Sequence, residues 1–130
     1  MLHHVEIYVA NIEKSRLFWS ELLEELSYEL NQTWDEGFSY KFGETYLVFV
    51  QAEEPFLAEG YHRKRIGLNH LAFHGGTKEC VDAFRAKLKA KGIKLLYEDK
   101  FPFAGSKNHY AVFFEDPDGL KVEICTEVTI

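Results

Sequence analysis

The stretch FFEDPDGLKVEI (residues 113–124) predicts two strands joined by a tight turn. DPDG (116–119) is strong turn chemistry, because proline presets its own backbone angle while Asp and Gly tolerate the remaining turn conformations. The apolar residues on either side predict strands over 109–115 and 119–126. The end of the chain is therefore expected to form an antiparallel hairpin.

Three side chains, one of them in this hairpin, are predicted on the polar faces of three separate strands. Side chains alternate across a strand, so Glu123 is expected on the face opposite its apolar neighbours. The segments LHHVEIYV (2–9) and IGLNHLAFH (66–74) predict two more strands, in which alternation places His4 and His70 on the polar face. Two imidazoles and a carboxylate with open positions form a typical divalent-metal site.

The chain repeats one pattern of elements. The first copy is predicted as a strand, a helix and three strands at 2–9, 11–26, 27–32, 37–42 and 45–51. The second is predicted likewise at 66–74, 78–91, 93–98, 109–115 and 119–126. Each copy is βαβββ, which predicts an α+β fold with the helices on one outer face of the sheet. We expect a single domain over 1–130, with modules at 1–52 and 66–130 and a connection at 53–65.

Composition excludes some functions. The 130 residues carry a formal net charge of −6, which argues against nonspecific nucleic-acid binding. The sequence has no apolar run of about 18 residues, as a membrane span needs, and its start has no signal-peptide pattern. Cys80 and Cys125 have no metal-ligand or redox spacing, so we expect two free thiols in a cytoplasmic protein.

Three motifs together resemble the vicinal oxygen chelate superfamily. They are LHHVEIYVANIEKSRLFWSELL (2–23), GLNHLAFH (67–74) and FFEDPDGLKVEI. This family includes glyoxalase I, extradiol dioxygenases, fosfomycin-modifying enzymes and bleomycin-resistance proteins. The resemblance implies two βαβββ modules that form a cupped mixed sheet. It also implies a divalent ion bound by His4, His70 and Glu123.

The chain departs from glyoxalase I at a fourth ligand position. Glyoxalase I members usually place a glutamate on the last strand of the first module, which here is TYLVFVQ. An overlay of the two modules aligns Val48 with Glu123, whereas a register slip of one residue would bring Gln51 to the cleft face instead. Either alternative lacks an ionised fourth ligand and favours members with three ligands.

Candidate catalytic residues share the faces of the proposed ligands. Glu6 shares the face of His4 and is a candidate for proton transfer, while Glu123 is a candidate for both ligation and catalysis. His109 and Tyr110 open the strand before the turn. Pairing across the turn is predicted to put Val112 opposite Glu123, so Tyr110 is expected on the cleft face. There it would suit oxygen activation, as in the dioxygenases that the chain resembles.

Two functions from different classes fit these residues. One is a metal-dependent enzyme, either a glyoxalase-like lyase or isomerase or a dioxygenase-like oxidoreductase. Its Fe, Mn, Ni, Co or Zn ion would stabilise negative charge on a small chelating substrate. The other is a metal-free ligand-binding protein of the bleomycin-resistance kind. The basic cluster at 62–65 either attracts an anionic substrate or forms a solvated linker. Single chains of this family usually form homodimers, so we expect a homodimer.

Overall fold

The computed structural model describes residues 1–128, which divide into two compact units with a boundary between Tyr61 and His62. Each unit contains one βαβββ module. The boundary falls inside the predicted connection, and residues 129 and 130 of the predicted second module lie outside the described residues.

The first unit is a four-stranded mixed sheet with one helix. Its elements are β1 (His4–Val9), α1 (Ile12–Glu25), β2 (Glu29–Trp34), β3 (Gly37–Phe42) and β4 (Thr45–Gln51). The strand order is β1-β4-β3-β2, in which β1 runs parallel to β4 and the other pairs are antiparallel. A short 3-10 helix follows at Glu54–Phe56.

Helix α1 begins where the sequence predicts, because Asn11 caps it. The side-chain oxygen of Asn11 accepts a hydrogen bond from the backbone N–H of Lys14 at 3.1 Å. The apolar face of α1 packs on the sheet through Trp19, which is fully buried and stacks on Phe49 with ring centroids 4.8 Å apart. This aromatic stack holds the helix on the face opposite to His4.

The second unit repeats the arrangement. Its elements are β5 (His70–His74), α2 (Lys78–Ala90), β6 (Leu95–Leu96), β7 (His109–Glu115) and β8 (Lys121–Glu127), with a 3-10 helix at Glu98–Lys100. The strand order is β5-β8-β7-β6, and β5 runs parallel to β8. The β5 and β6 strands are shorter than predicted, and the other elements agree with the prediction to within two residues at each end.

Helix α2 is delimited by its two caps. The Thr77 hydroxyl accepts a hydrogen bond from the Cys80 N–H at 3.2 Å, and Gly92 ends the helix with φ +72°. Val81 and Leu88 are buried on the inner side of the helix. The predicted α+β class with two βαβββ modules is confirmed. Within residues 1–128, no helix is long and apolar enough to cross a membrane.

Gly75 joins β5 to α2 at a point where no side chain fits. A Cβ atom there would lie 2.7 Å from the Ile124 side chain and 3.0 Å from the Val81 side chain. We therefore expect Gly75→Ala to lower the free energy of unfolding in urea by about 1–3 kcal/mol through overpacking. Gly105→Ala is the control, because its Cβ would make only ordinary contacts. Equal stability of the two variants would contradict this packing.

Candidate metal centre

The polar face of the second sheet brings together side chains from three strands. Strand β8 lies between β5 and β7, and its residue Glu123 pairs with Ala72 on β5 and Phe113 on β7. Because paired residues share a face, His70 and His109 lie on the same side of the sheet as Glu123. The opposite face carries Val122 and Ile124, which are buried.

Glu123 is the centre of this face. Its side chain is only 5% exposed, and its Oε1 lies 3.0 Å from His70 Nε2. Its other oxygen, Oε2, contacts His109 Nε2. One buried carboxylate thus meets one imidazole at each of its oxygens, which is how an otherwise costly buried charge is compensated.

The outer nitrogens of both imidazoles also contact oxygen atoms. His70 Nδ1 lies 2.6 Å from Asn69 Oδ1, and His109 Nδ1 lies 2.9 Å from Glu127 Oε1. The hydrogen bonds to Glu127 and then to Glu123 raise the pKa of His109 above its ordinary value. A neutral imidazole has one N–H, yet each ring faces two acceptors. Both acceptors of a ring are satisfied either by an imidazolium, which donates from both nitrogens, or by a neutral imidazole with a cation bound at its inner nitrogen.

This donor set fits a divalent ion. Metal-ligating histidines usually donate their second ring N–H to a carboxylate or carbonyl oxygen, which fixes the tautomer and leaves the other nitrogen for the metal. Asn69 and Glu127 occupy that outer position here. His70, His109 and Glu123 are therefore the candidate ligands within this unit, although His70 is not part of the compact group of ligand atoms that His109 and Glu123 form.

Cys125 is a further neighbour of this cluster. Its sulfur lies on the Glu123 face, and ligand atoms of His109, Glu123 and Cys125 are all within 4.8 Å of one another. Burial, and then the Glu123 carboxylate, raise the pKa of Cys125 to about 11. The thiol is therefore protonated at neutral pH and offers a weaker ligand than the two imidazoles.

The structure contradicts the predicted register of the final hairpin. Asp116 N–H donates to the Leu120 carbonyl at 2.9 Å, so the turn contains five residues (116–120), not four. This places Phe113, not Val112, opposite Glu123. A shift of one residue transfers every side chain of the strand to the other face.

Tyr110 is the predicted site residue that this register removes from the polar face. Its hydroxyl donates to Asp82 on α2 at 2.6 Å, so Tyr110 lies on the helix face of the sheet, opposite to Glu123. Burial and the Asp82 hydrogen bond raise the pKa of Tyr110 to about 12. The predicted placement of Tyr110 on the cleft face is therefore wrong, and its neighbour His109 lies on the Glu123 face instead.

The first unit holds the other predicted residues. His4 and Glu6 are both exposed on β1, on the face opposite to the buried Val9. The His4 ring stacks on Tyr46 with centroids 4.8 Å apart, and its Nδ1 lies 2.8 Å from His3 Nδ1. These side chains are accessible, as a ligand and a proton-transfer group require.

The register of β4 decides between the two alternatives for the fourth position. Val48 pairs with Glu6 in the same way as Glu123 pairs with Ala72, so Val48 is the structural counterpart of Glu123. Gln51 has a structural role, since its side chain accepts from the Ile12 N–H at 2.9 Å and donates to the Ala10 carbonyl at 2.8 Å. The first module thus offers an apolar side chain where the second offers a carboxylate.

Several residues near this centre were absent from the predicted site. Asn69 and Glu127 are recognised only through their contacts with the two imidazoles, although Glu127 shares the strand parity of Glu123. Lys121 also shares that parity. Alternation alone therefore identified the correct face of β8, but it did not identify the partners that other strands bring to it.

The chain belongs to the Glyoxalase/Bleomycin resistance protein/Dioxygenase superfamily, whose sequence model matches residues 1–124. It is 55% identical over 123 residues to the uncharacterized protein YqjT of Bacillus subtilis (strain 168), which covers 95% of this chain and 96% of that protein. The family that the three motifs resemble is thus confirmed.

Solved structures agree with this assignment. A crystal structure of a candidate glyoxalase from Bacillus halodurans is 59% identical, with a TM-score of 0.95 over 96% of this chain and 94% of that chain. Lactoylglutathione lyase from Agrobacterium tumefaciens is 19% identical, with a TM-score of 0.66 over 96% of this chain and 92% of that chain. The second likeness shows a shared fold.

The new position of Tyr110 leads to a direct test. Tyr110→Phe removes a buried hydroxyl and its hydrogen bond to Asp82, so we expect the free energy of unfolding to fall by about 1–2 kcal/mol. Metal binding should not change, because the hydroxyl lies on the helix face. Urea denaturation and metal titration of the same variant measure both quantities. Lost metal binding with unchanged stability would contradict this assignment.

Proposed function

We propose that this protein is a metal-dependent enzyme of its superfamily that acts on a small substrate with adjacent oxygen atoms. One observation carries the proposal. The buried carboxylate of Glu123 receives an imidazole nitrogen at each oxygen, while both imidazoles are tied at their outer nitrogens. A divalent ion would satisfy the charge and donor requirements of this group.

Two of the proposed ligands are His70 and Glu123, and two residues are candidates for the second imidazole. His109 is the second imidazole that the same unit contributes, and His4 is the second imidazole that the family resemblance implies. Imidazole and carboxylate ligands suit Fe, Mn, Ni, Co or Zn, so the donor set supports a divalent transition metal without selecting one. The apolar Val48 supports a three-ligand centre with open positions.

The bound ion would polarise substrate oxygen and stabilise negative charge as it develops. Glu123 anchors the centre from the middle strand of the face, and Glu127 orients the His109 ring through its Nδ1. Glu6 is the proposed proton-transfer group, because its exposed carboxylate shares the strand face of His4. These roles fit a glyoxalase-like lyase or isomerase and a dioxygenase-like oxidoreductase alike.

Metal content tests this proposal directly. We expect protein purified without chelators or an affinity tag to contain near-stoichiometric transition metal by elemental analysis. Glu123→Gln and His70→Ala should each weaken binding at least about 100-fold, because each removes a ligand. His74→Ala is the matched control, since His74 lies on the same strand and face but is exposed.

Two further variants decide between the candidate second imidazoles. Metal content is measured for His4→Ala and His109→Ala under the same conditions. The histidine whose replacement removes the metal is the second imidazole ligand. Full metal occupancy in Glu123→Gln would refute the ligand set. Protein that contains no metal and takes up none on dialysis would instead support a metal-free ligand-binding protein of the bleomycin-resistance kind.

We also propose that the protein is a cytoplasmic homodimer. Both Cys80 and Cys125 are free thiols, which supports a reducing compartment. Every residue of strand β2 at the edge of the first sheet is exposed, including Leu30 and Trp34. An exposed edge strand with apolar side chains is a common site of pairing between copies.

The oligomeric state is measured by light scattering at micromolar concentration, where we expect twice the mass of one chain. Leu30→Lys should weaken the dimer if β2 lies at the interface, because it places a charge at the strand edge. Leu17→Lys is the control on an exposed position of α1. A wild-type monomer would contradict the proposal.

A further inference from the structure

Lys121 lies on the face of the candidate metal centre. It is two residues before Glu123 on β8, and its partner on β5 is His70. Residues two apart on a strand point to the same side, with Cα atoms about 7 Å apart. The Lys121 side chain therefore starts beside the proposed ligands and on their side of the sheet.

The Lys121 ammonium lies against two aromatic rings. Its Nζ lies 5.4 Å from the centre of the Tyr97 ring and 5.7 Å from that of Phe113, and it donates to the Tyr97 hydroxyl at 3.3 Å. Within residues 1–128, no carboxylate forms an ion pair with it. Cation–π contacts hold the ammonium in place without neutralising it.

The nearest acid across the hairpin is already occupied. Glu115 is the register partner of Lys121, but its carboxylate pairs with Arg63 at 2.7 Å and with Lys94 at 3.3 Å. Arg63, from the basic cluster at 62–65, thus has a structural partner. Lys121 is left as an unneutralised cation next to the metal centre.

Phe113 and Tyr97 form an aromatic surface beside this cation, and Phe113 also borders the proposed ligands. The two rings meet edge to face with centroids 5.3 Å apart, and Phe113 lies 6.2 Å from the His70 ring. Phe113 is also the direct cross-strand partner of Glu123. A molecule bound at the metal would have apolar surface on this side and a positive charge at its edge.

We propose that the substrate is a carboxylate-bearing chelator. Its adjacent oxygens would bind the metal, its flat or apolar body would contact Phe113 and Tyr97, and its carboxylate would accept hydrogen bonds from Lys121. The inference rests on the proposed function of this centre. The Lys121 ammonium is a single point charge, which matches the charge of one carboxylate.

Matched pairs of chelators test the proposal. The first pair is catechol and 3,4-dihydroxybenzoate, and the second is acetohydroxamate and the monohydroxamate of succinic acid. Within each pair only the second member carries a carboxylate. We measure the dissociation constants by calorimetry on zinc-reconstituted protein. The ratio within a pair is compared between wild type and Lys121→Met, which cancels intrinsic differences in chelating strength.

We expect Lys121→Met to reduce the preference for the carboxylate member about tenfold in at least one pair. Lys121→Arg should retain the preference, and higher salt should weaken it in wild type. Lys94→Met is the control, because it removes an equal charge from the ion pair of Glu115. An unchanged ratio in Lys121→Met, or no carboxylate preference in any pair, would overturn the proposal.

Metal analysis of the same samples separates this proposal from the proposed function. A protein that holds zinc but shows no Lys121-dependent preference keeps its metal centre and loses the carboxylate assignment. A protein that holds no zinc fails at the earlier step, and the carboxylate assignment then fails with it. Lys121→Met should itself retain zinc, since Lys121 is not a ligand.

Discussion

The burial of the Glu123 carboxylate is the constraint on which the polar face of the second sheet depends. A carboxylate whose side chain is only 5% exposed needs cationic or hydrogen-bonding groups to replace the water that it has lost. His70 and His109 supply those groups from the two neighbouring strands. Their own outer contacts, with Asn69 and Glu127, extend the network to the next layer.

The hairpin turn controls which side chains reach this carboxylate. Asp116 Oδ1 accepts from the N–H groups of Asp118 and Leu120, both at 2.8 Å, and the backbone of Leu120 closes the turn on Asp116. Leu120 therefore belongs to the turn and not to the strand. That one residue sets the register of β7, so His109 and Phe113 face Glu123 while Tyr110 faces α2.

The two modules use one topology for different purposes. Val48 and Glu123 occupy equivalent positions on the last strand of each module, yet one is apolar and the other is a candidate ligand. The helix faces are alike, with Trp19 on Phe49 in the first unit, and with Val81 and Ile124 both buried beside Gly75 in the second. The fold thus fixes where a functional side chain can lie, and the local sequence decides whether one is present.

The sequence by itself determined the elements, the modules and the correct face of Glu123 and His70. Alternation and turn chemistry are local properties, so they can be recognised in single segments such as LHHVEIYV and FFEDPDGLKVEI. The tertiary structure alone decided the hairpin register, the pairing of His109 with Glu123 and the position of the Lys121 ammonium against Tyr97 and Phe113. These features depend on backbone hydrogen bonds at Leu120 and on contacts between strands that are distant in sequence. The periodicity of a single strand contains no information on either.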